Sequence, residues 1–205
     1  MARMMSCRND ASDARIAAEA IDAGKLVAFP TDTVFALAAA YDLPQAVARL
    51  AALKQRDPNK PFAAMVSDVS DVAKFVSVLP PAAQKLMDAF WPGPLTIVVA
   101  RSRGSSETIG LRMPDHALAR AIVRAARHPV AATSANIAGE REAVSAREVA
   151  ELFRDRIDLI VNDGKTCGGR PSTVVKVTWE SWRILREGAI PAERIAHWLA
   201  DAGSP

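Results

Sequence analysis

Leu26-Val27-Ala28-Phe29-Pro30-Thr31-Asp32-Thr33-Val34-Phe35-Ala36-Leu37 holds two apolar runs separated by one short polar turn. The first run reads as a buried strand that stops at a proline, and the second is another apolar run that follows without a helix between them. A strand followed directly by another strand does not belong to a purely parallel sheet, whose neighbours need a long crossover between them. Thr31 and Thr33 place hydroxyls just past a strand end, where open α/β sheets hold ligands. Read alone, an ordinary Pro-Thr turn explains them equally well.

Working outward, Ser12 is placed to cap a helix whose Ile16, Ala17, Ala20 and Ile21 share one face, with Gly24 closing it. Downstream, Val47, Leu50 and Ala51 form a helical apolar stripe with Pro44 near its start. Lys54 falls seven residues after Val47 and leaves that helix on the inward face, where an ammonium calls for an anionic partner. The segment Lys54-Gln55-Arg56-Asp57-Pro58-Asn59-Lys60-Pro61 then gathers three cations, while its prolines stop the helix and stiffen the loop. Spacing alone favours solvated charges that complement the helix dipole.

Phe62 to Val66 reads as a strand, followed by helical patterns at Val69–Phe75 and Pro80–Phe90. Trp91-Pro92-Gly93-Pro94 is a rigid corner leading into Leu95–Val99, a strand apolar on both faces and therefore central. Thr108–Pro114 is another strand, with Arg112 near its end; the guanidinium fork suits a carboxylate. Asp115 opens a helix that turns Leu118, Ile122 and Ala125 inward and lines Arg120, Arg124 and Arg127 opposite, most simply as a solvated face. Pro129–Ala132 is a short strand running into Thr133-Ser134-Ala135-Asn136, again hydroxyl and amide groups beyond a strand end. Ser145 and Glu148 make a capping box for a helix carrying Val149, Leu152 and Phe153. Strands follow at Ile157–Val161, Val174–Val177 and Arg183–Arg186, and Pro191 begins a closing helix with Ile195, Trp198 and Leu199 inward. The expected fold is one domain over residues 1–205, with its core at about 12–200. It is a mixed α/β (α+β) fold, a twisted sheet of parallel and antiparallel strands flanked by helices.

A chain of 205 residues, half of them hydrophobic, suits a single core, and no linker or repeat divides it. A net charge of +3 permits an anionic partner without demanding one. Met1–Asp10 has no apolar stretch that signals secretion, no run reaches the length of a membrane span, and Cys7 and Cys167 stand alone. Those features lead to the expectation of a cytoplasmic protein with no membrane attachment. Gly164-Lys165-Thr166 looks like the tail of a phosphate-binding loop, but the glycine that motif needs is Leu159. No dinucleotide fingerprint is present, Ser134 lacks the glycines of a nucleophile elbow, and His116, His128 and His197 have no metal-ligand spacing. The remaining polar set, Thr31, Thr33, Lys54, Arg56, Lys60, Arg112, Ser134, Asn136 and Ser172, contains few general bases. Positioning and charge stabilisation, as in phosphoryl or nucleotidyl transfer, suit it best.

Seven short motifs stand in order: Phe29–Phe35, Lys54-Gln55-Arg56, Phe90–Thr96, Gly110–Pro114, Thr133–Asn136, Pro171-Ser172-Thr173 and Arg186-Glu187-Gly188. Together they resemble the YrdC/TsaC family of threonylcarbamoyl-AMP synthases, from about residue 12 to the end. The resemblance is to the short form, since longer members continue into a linker and second domain. It implies a YrdC-like fold with an open basic cleft. It also implies a reaction of L-threonine, bicarbonate and ATP giving threonylcarbamoyl-AMP and pyrophosphate, for modification of tRNA beside the anticodon by partner proteins. By that resemblance Lys54, Arg56, Ser134 and Asn136 are catalytic, and Arg56, Lys60, Thr108, Ser134 and Ser172 bind ATP. Thr33, Arg112, Met65 and Asp163 bind threonine. Mg²⁺ arrives with the ATP phosphates and takes no protein side chain as ligand. Weak direct tRNA binding is allowed. A non-catalytic tRNA- or double-stranded-RNA-binding module, or an enzyme of another carbamoyl adenylate, stays open as an alternative. Two positions depart from the family pattern: Ala36 replaces a usual glycine, and Ile137-Ala138 replaces Leu-Ser.

Overall fold

In the computed structural model, which describes residues 3–6, 11–57, 60–164 and 167–200, the two opening runs pair with each other. Strand β2 (Val27–Phe29) lies antiparallel to β3 (Ala36–Ala40), with Val27 opposite Ala38 and Phe29 opposite Ala36. The other strands are β1 (Arg3–Ser6), β4 (Ala63–Met65), β5 (Leu95–Ala100), β6 (Thr108–Arg112), β7 (Val130–Ser134), β8 (Leu159–Asn162), β9 (Thr173–Val177) and β10 (Trp182–Arg186). Among the described residues they form one ten-stranded sheet in the order β1-β8-β2-β3-β7-β4-β6-β5-β9-β10. The pairs β1–β8, β8–β2, β4–β6 and β5–β9 are parallel and the remainder antiparallel. The mixed sheet is therefore as expected. The sheet also takes in Arg3–Ser6, upstream of residue 12, a strand the sequence reading did not foresee.

Side-chain alternation decides which helix covers which face. Val27 and Phe29 point toward α1 (Ala11–Asp22) and α4 (Ala117–Ala125), joining Ala17, Ile21, Leu118 and Ile122. Leu26 and Ala28 point the other way, toward α2 (Pro44–Lys54) and α5 (Ala146–Phe153), joining Leu50, Val149 and Phe153. In the other half, Leu95, Ile97, Val99, Ile109 and Leu111 pack under α3 (Pro81–Phe90) and α6 (Ala192–Ala200). The alternate residues Thr96, Val98, Thr108 and Gly110 face a cleft. The strand read as apolar on both faces is thus core on one side only.

Several local readings are corrected. Ser12 lies inside the first turn of α1, and α4 is capped by His116, whose Nδ1 accepts from Ala119 N at 3.4 Å, rather than by Asp115. Ala125 is exposed, and Arg127 lies beyond α4 with its Nε on Asp22 at 3.2 Å, so no three-arginine stripe runs along that helix. Trp198 is 47% exposed, resting edge-on against Phe90. Ser145 Oγ accepts from Glu148 N as a cap should, but Glu148 Oε2 reaches back to Val144 N. Pro58 lies outside the described residues.

Gly188 shows how tightly the end of β10 is set. A Cβ there would stand 2.2 Å from Pro171 O and 2.6 Å from Ser172 O, while its N–H donates to Thr173 Oγ1 at 2.9 Å. Neither backbone oxygen can move without disturbing the start of β9. Gly188→Ala should lower unfolding stability by about 1–3 kcal/mol, measured by urea denaturation, as overpacking against rigid atoms does.

Candidate active site

The cleft occupies about 380 Å³ over the helix-free face of β4, β6, β5 and β9. Its floor is made of Ala63, Met65, Thr96, Val98, Thr108 and Gly110, and Ala36 and Ala132 from the neighbouring strands extend it. Its rim brings four cations, Arg56 and Lys60 from a loop and Arg112 and Arg186 from the ends of β6 and β10, and the hydroxyls of Thr31, Thr133, Ser134 and Ser172. Among the described lining residues there is no aspartate or glutamate, and the nearby carboxylate of Asp32 is tied to Arg112, so an anion entering here meets mainly cations and hydroxyls.

Two of the expected catalytic residues sit one layer behind that surface. Lys54 is only 4% exposed because α2 ends with it pointing under β7. The chain escapes at Gln55, which takes the left-handed conformation (φ 50°). The Lys54 ammonium donates to Ser134 O at 2.8 Å and to Asn136 Oδ1. Ser134 Oγ donates to the same Asn136 oxygen at 2.7 Å, and Asn136 Nδ2 donates to Glu140 O at 2.8 Å. Neutral oxygens, not the anticipated anion, thus hold the buried lysine. Its role in the free protein is to fix the Ser134–Asn136 turn. Burial, reinforced by the charge of Arg56, lowers its pKa to about 8, with Glu142 opposing.

Arg56 lies over the Phe62 ring, 5.1 Å from its centroid, and donates through Nη2 to Pro61 O at 3.0 Å, which leaves its charge at the rim. Arg186 Nη2 donates to Ser172 O at 2.8 Å and reaches Ser172 Oγ at 3.3 Å, while Ser172 Oγ and Thr96 Oγ1 are 2.9 Å apart. Sequence reasoning quoted Arg186 in a motif but gave it no role; its position two residues before the close-packed Gly188 was the available signal. Arg112 reaches the cleft from the end of β6, yet part of its fork is already engaged. Its Nη2 donates to Asp32 Oδ1 at 2.7 Å and its Nε to Gly93 O at 3.4 Å. Burial lowers the guanidinium's proton affinity and Asp32 restores part of it.

Met65 and Thr108 line the cleft as expected, but Thr33 and Asp163 do not. Thr33 is 2% exposed beneath a loop whose Gly169 N–H donates to Thr33 O at 2.8 Å. Asp163 Oδ2 is 3.2 Å from His116 Nε2, off the cleft. Ala36 is an ordinary strand residue with no positive φ, paired with Phe29 and Ser134, so it needs no glycine conformation. Among the described residues no three His, Cys, Asp or Glu side chains converge as a metal site, and no helix is long and apolar enough to cross a membrane.

The profile of the Sua5/YciO/YrdC family, described as "Telomere recombination", matches residues 19–188. The chain belongs to this family. The threonylcarbamoyl-AMP synthase of Pyrococcus abyssi is 38% identical over 188 residues, covering 88% of this chain and 55% of that protein. The threonylcarbamoyl-AMP synthase of Bacillus subtilis is 35% identical over 187 residues, covering 87% and 54%. The chain therefore spans about half the length of these two Sua5/YciO/YrdC relatives. The structure of P. abyssi Sua5 complexed with L-threonine superposes with a TM-score of 0.88 at 35% identity, over 97% of this chain and 61% of that one. Escherichia coli YciO shares the fold, with a TM-score of 0.84 at 23% identity over 95% of this chain and 100% of that one.

The depressed lysine predicts a pH dependence. Between about pH 8 and the ordinary lysine value of 10.5 the unfolded chain holds the Lys54 proton and the folded chain has released it. Raising the pH through that window therefore favours the fold. Wild type should gain stability relative to Lys54→Met there, at no more than about 1.4 kcal/mol per pH unit, in denaturant titrations run at successive pH values.

Proposed function

We propose that the protein is a threonylcarbamoyl-AMP synthase, a nucleotidyltransferase that joins L-threonine, bicarbonate and ATP with loss of pyrophosphate. The observation that carries this reading is the composition of the cleft: four cations and several hydroxyls on a bare sheet face, with no carboxylate among them. The family membership supports it, as does the likeness to a Sua5 crystallised with L-threonine.

In this reading Arg56, Lys60 and Arg186 face the triphosphate, Thr108 and Ser172 offer hydroxyls to phosphate and nucleoside oxygens, and Ser134 does so by turning its proton from Asn136 Oδ1 to the ligand. Arg112 takes the threonine carboxylate and Met65 borders the amino acid. The threonine amine, once it has lost its ammonium proton, bonds to the bicarbonate carbon as a C–O bond of bicarbonate breaks and water leaves, which gives a carbamate. A carbamate oxygen then forms a bond to the α-phosphorus as the bond from that phosphorus to the bridging oxygen breaks, and pyrophosphate leaves with its electron pair. The developing charge lies on phosphate oxygens, so fixed cations stabilise it and no strong base is required for this step. Lys54 and Asn136 act through Ser134, whose turn they hold rigid. The absence of lining carboxylates suits Mg²⁺ that travels on the phosphates of ATP, where it neutralises charge on the leaving group. In this reading the enzyme is cytoplasmic, its product passes to other proteins that modify tRNA, and weak tRNA binding by this chain is compatible with that transfer.

Pyrophosphate release from ATP and Mg²⁺ should require both threonine and bicarbonate; release that ignores either one rejects the reading. Arg56→Ala removes a rim cation whose contacts are local, the Phe62 ring and Pro61 O. It should cut turnover about 100-fold or more while leaving the thermal midpoint nearly unchanged.

A further inference from the structure

Arg186 reaches the cleft against the alternation of its own strand. In β10, Ile184 stands opposite Val175 and packs with the core under α3 and α6. Strict alternation would send Arg186, two residues on, to that same covered side. The register shifts between them, so that Arg186 stands opposite Val174 and Leu185 is the extra residue of a bulge. Val174, Leu185 and Arg186 all line the cleft as a result. β10 is also the last strand of the sheet, so among the described residues no second neighbouring strand fixes that register.

A group behind the cleft supplies the missing anchor. Thr173, the first residue of β9, is fully buried and does not line the cleft. Its Oγ1 accepts from Gly188 N at 2.9 Å and from Ile190 N at 3.0 Å, and donates to Ile190 O at 2.6 Å. A hydroxyl has one proton and two lone pairs, so every bond this one can make goes to the chain just beyond β10. Ala189 N donates to Pro171 O at 2.9 Å, which ties the same segment to the approach to β9. Two residues before Gly188, Arg186 Nη2 donates to Ser172 O at 2.8 Å, on the residue next to Thr173. One buried side chain thus fixes the end of β10 against the rim of the cleft.

We propose that Thr173 is a positioning residue for the nucleotide: its hydroxyl anchors the chain after the bulge and so holds Arg186 in the cleft beside Ser172. This inference rests on the reading that places ATP phosphates at Arg186. Thr173 touches no ligand and acts through the guanidinium alone. Valine has nearly the same shape without the hydroxyl, and would leave two buried N–H groups and a carbonyl without their partner. Such groups are costly, so the segment pulls away toward other partners and Arg186 goes with it. Serine keeps all three bonds.

The test measures ATP affinity by calorimetry, with Mg²⁺ present, for wild type, Thr173→Val, Thr173→Ser, Arg186→Ala and the double variant Thr173→Val with Arg186→Ala. Thr173→Val should weaken ATP binding about tenfold or more, while Thr173→Ser stays within about threefold of wild type. Once Arg186 is alanine, Thr173→Val should cost less than about twofold, because the group it positions is gone. Unchanged affinity in Thr173→Val overturns the inference, and so does a serine variant as weak as the valine one. An equal loss with and without Arg186 overturns it too, since the hydroxyl would then serve the fold and not the arginine. If Thr173→Val does not fold, hydrogen exchange decides. Saturating ATP should slow exchange at the Gly188 and Ile190 amides in wild type and not in Arg186→Ala, and equal slowing in both overturns the inference. Wild type that binds no ATP overturns the nucleotide reading of the cleft itself, and the inference with it.

Discussion

A buried ammonium held by neutral oxygens is the interaction on which this site depends. Lys54 ends α2, passes beneath β7 and binds the carbonyl of Ser134 and the side-chain oxygen of Asn136. Removing such a cation from water is unfavourable, and its lowered proton affinity expresses that cost. In exchange the end of helix α2, the end of strand β7 and the following turn are tied at one point. Ser134 Oγ, bonded to the same asparagine oxygen, is thereby aimed before any ligand arrives.

The rest of the cleft follows from leaving half of one sheet face without a helix. Helices α3 and α6 cover one side of β5 and β6; the other side presents Thr96, Val98, Thr108 and Gly110, with arginine and lysine from strand ends and a loop around them. A flat, hydrogen-bonded floor combined with cationic rims gives rigidity below and charge above. That division suits a reaction in which the protein holds and neutralises rather than exchanging protons.

Much of this was legible in the chain. Strands that follow one another without a helix foretold a mixed sheet, and Thr31 and Ser134, singled out as hydroxyls near strand ends, both line the cleft. Lys54 was correctly placed inward by counting from Val47, but its partners could not be read, because they come from residues eighty or more positions away. Periodicity also failed to show that Thr96 and Val98 face open space, since threonine and valine satisfy both a core and a cleft. Asp163 and Thr33 were assigned by resemblance, and only tertiary packing shows that His116 claims one and the Gly169 loop covers the other. The strand at Arg3–Ser6 is four residues long and mostly exposed, too little for any pattern to register.

The alternation along β5 and β6 has a consequence for how this chain can change over generations. Leu95, Ile97 and Val99 are interior, and Thr96 and Val98 are binding surface, on one continuous strand. Losing or gaining a single residue inside that strand would exchange the two sets, putting threonine into the core and leucine into the cleft. Substitution can tune the floor one position at a time. A change of length is accommodated more readily in the loops, and in those at the rim it would alter reach and charge without touching the floor.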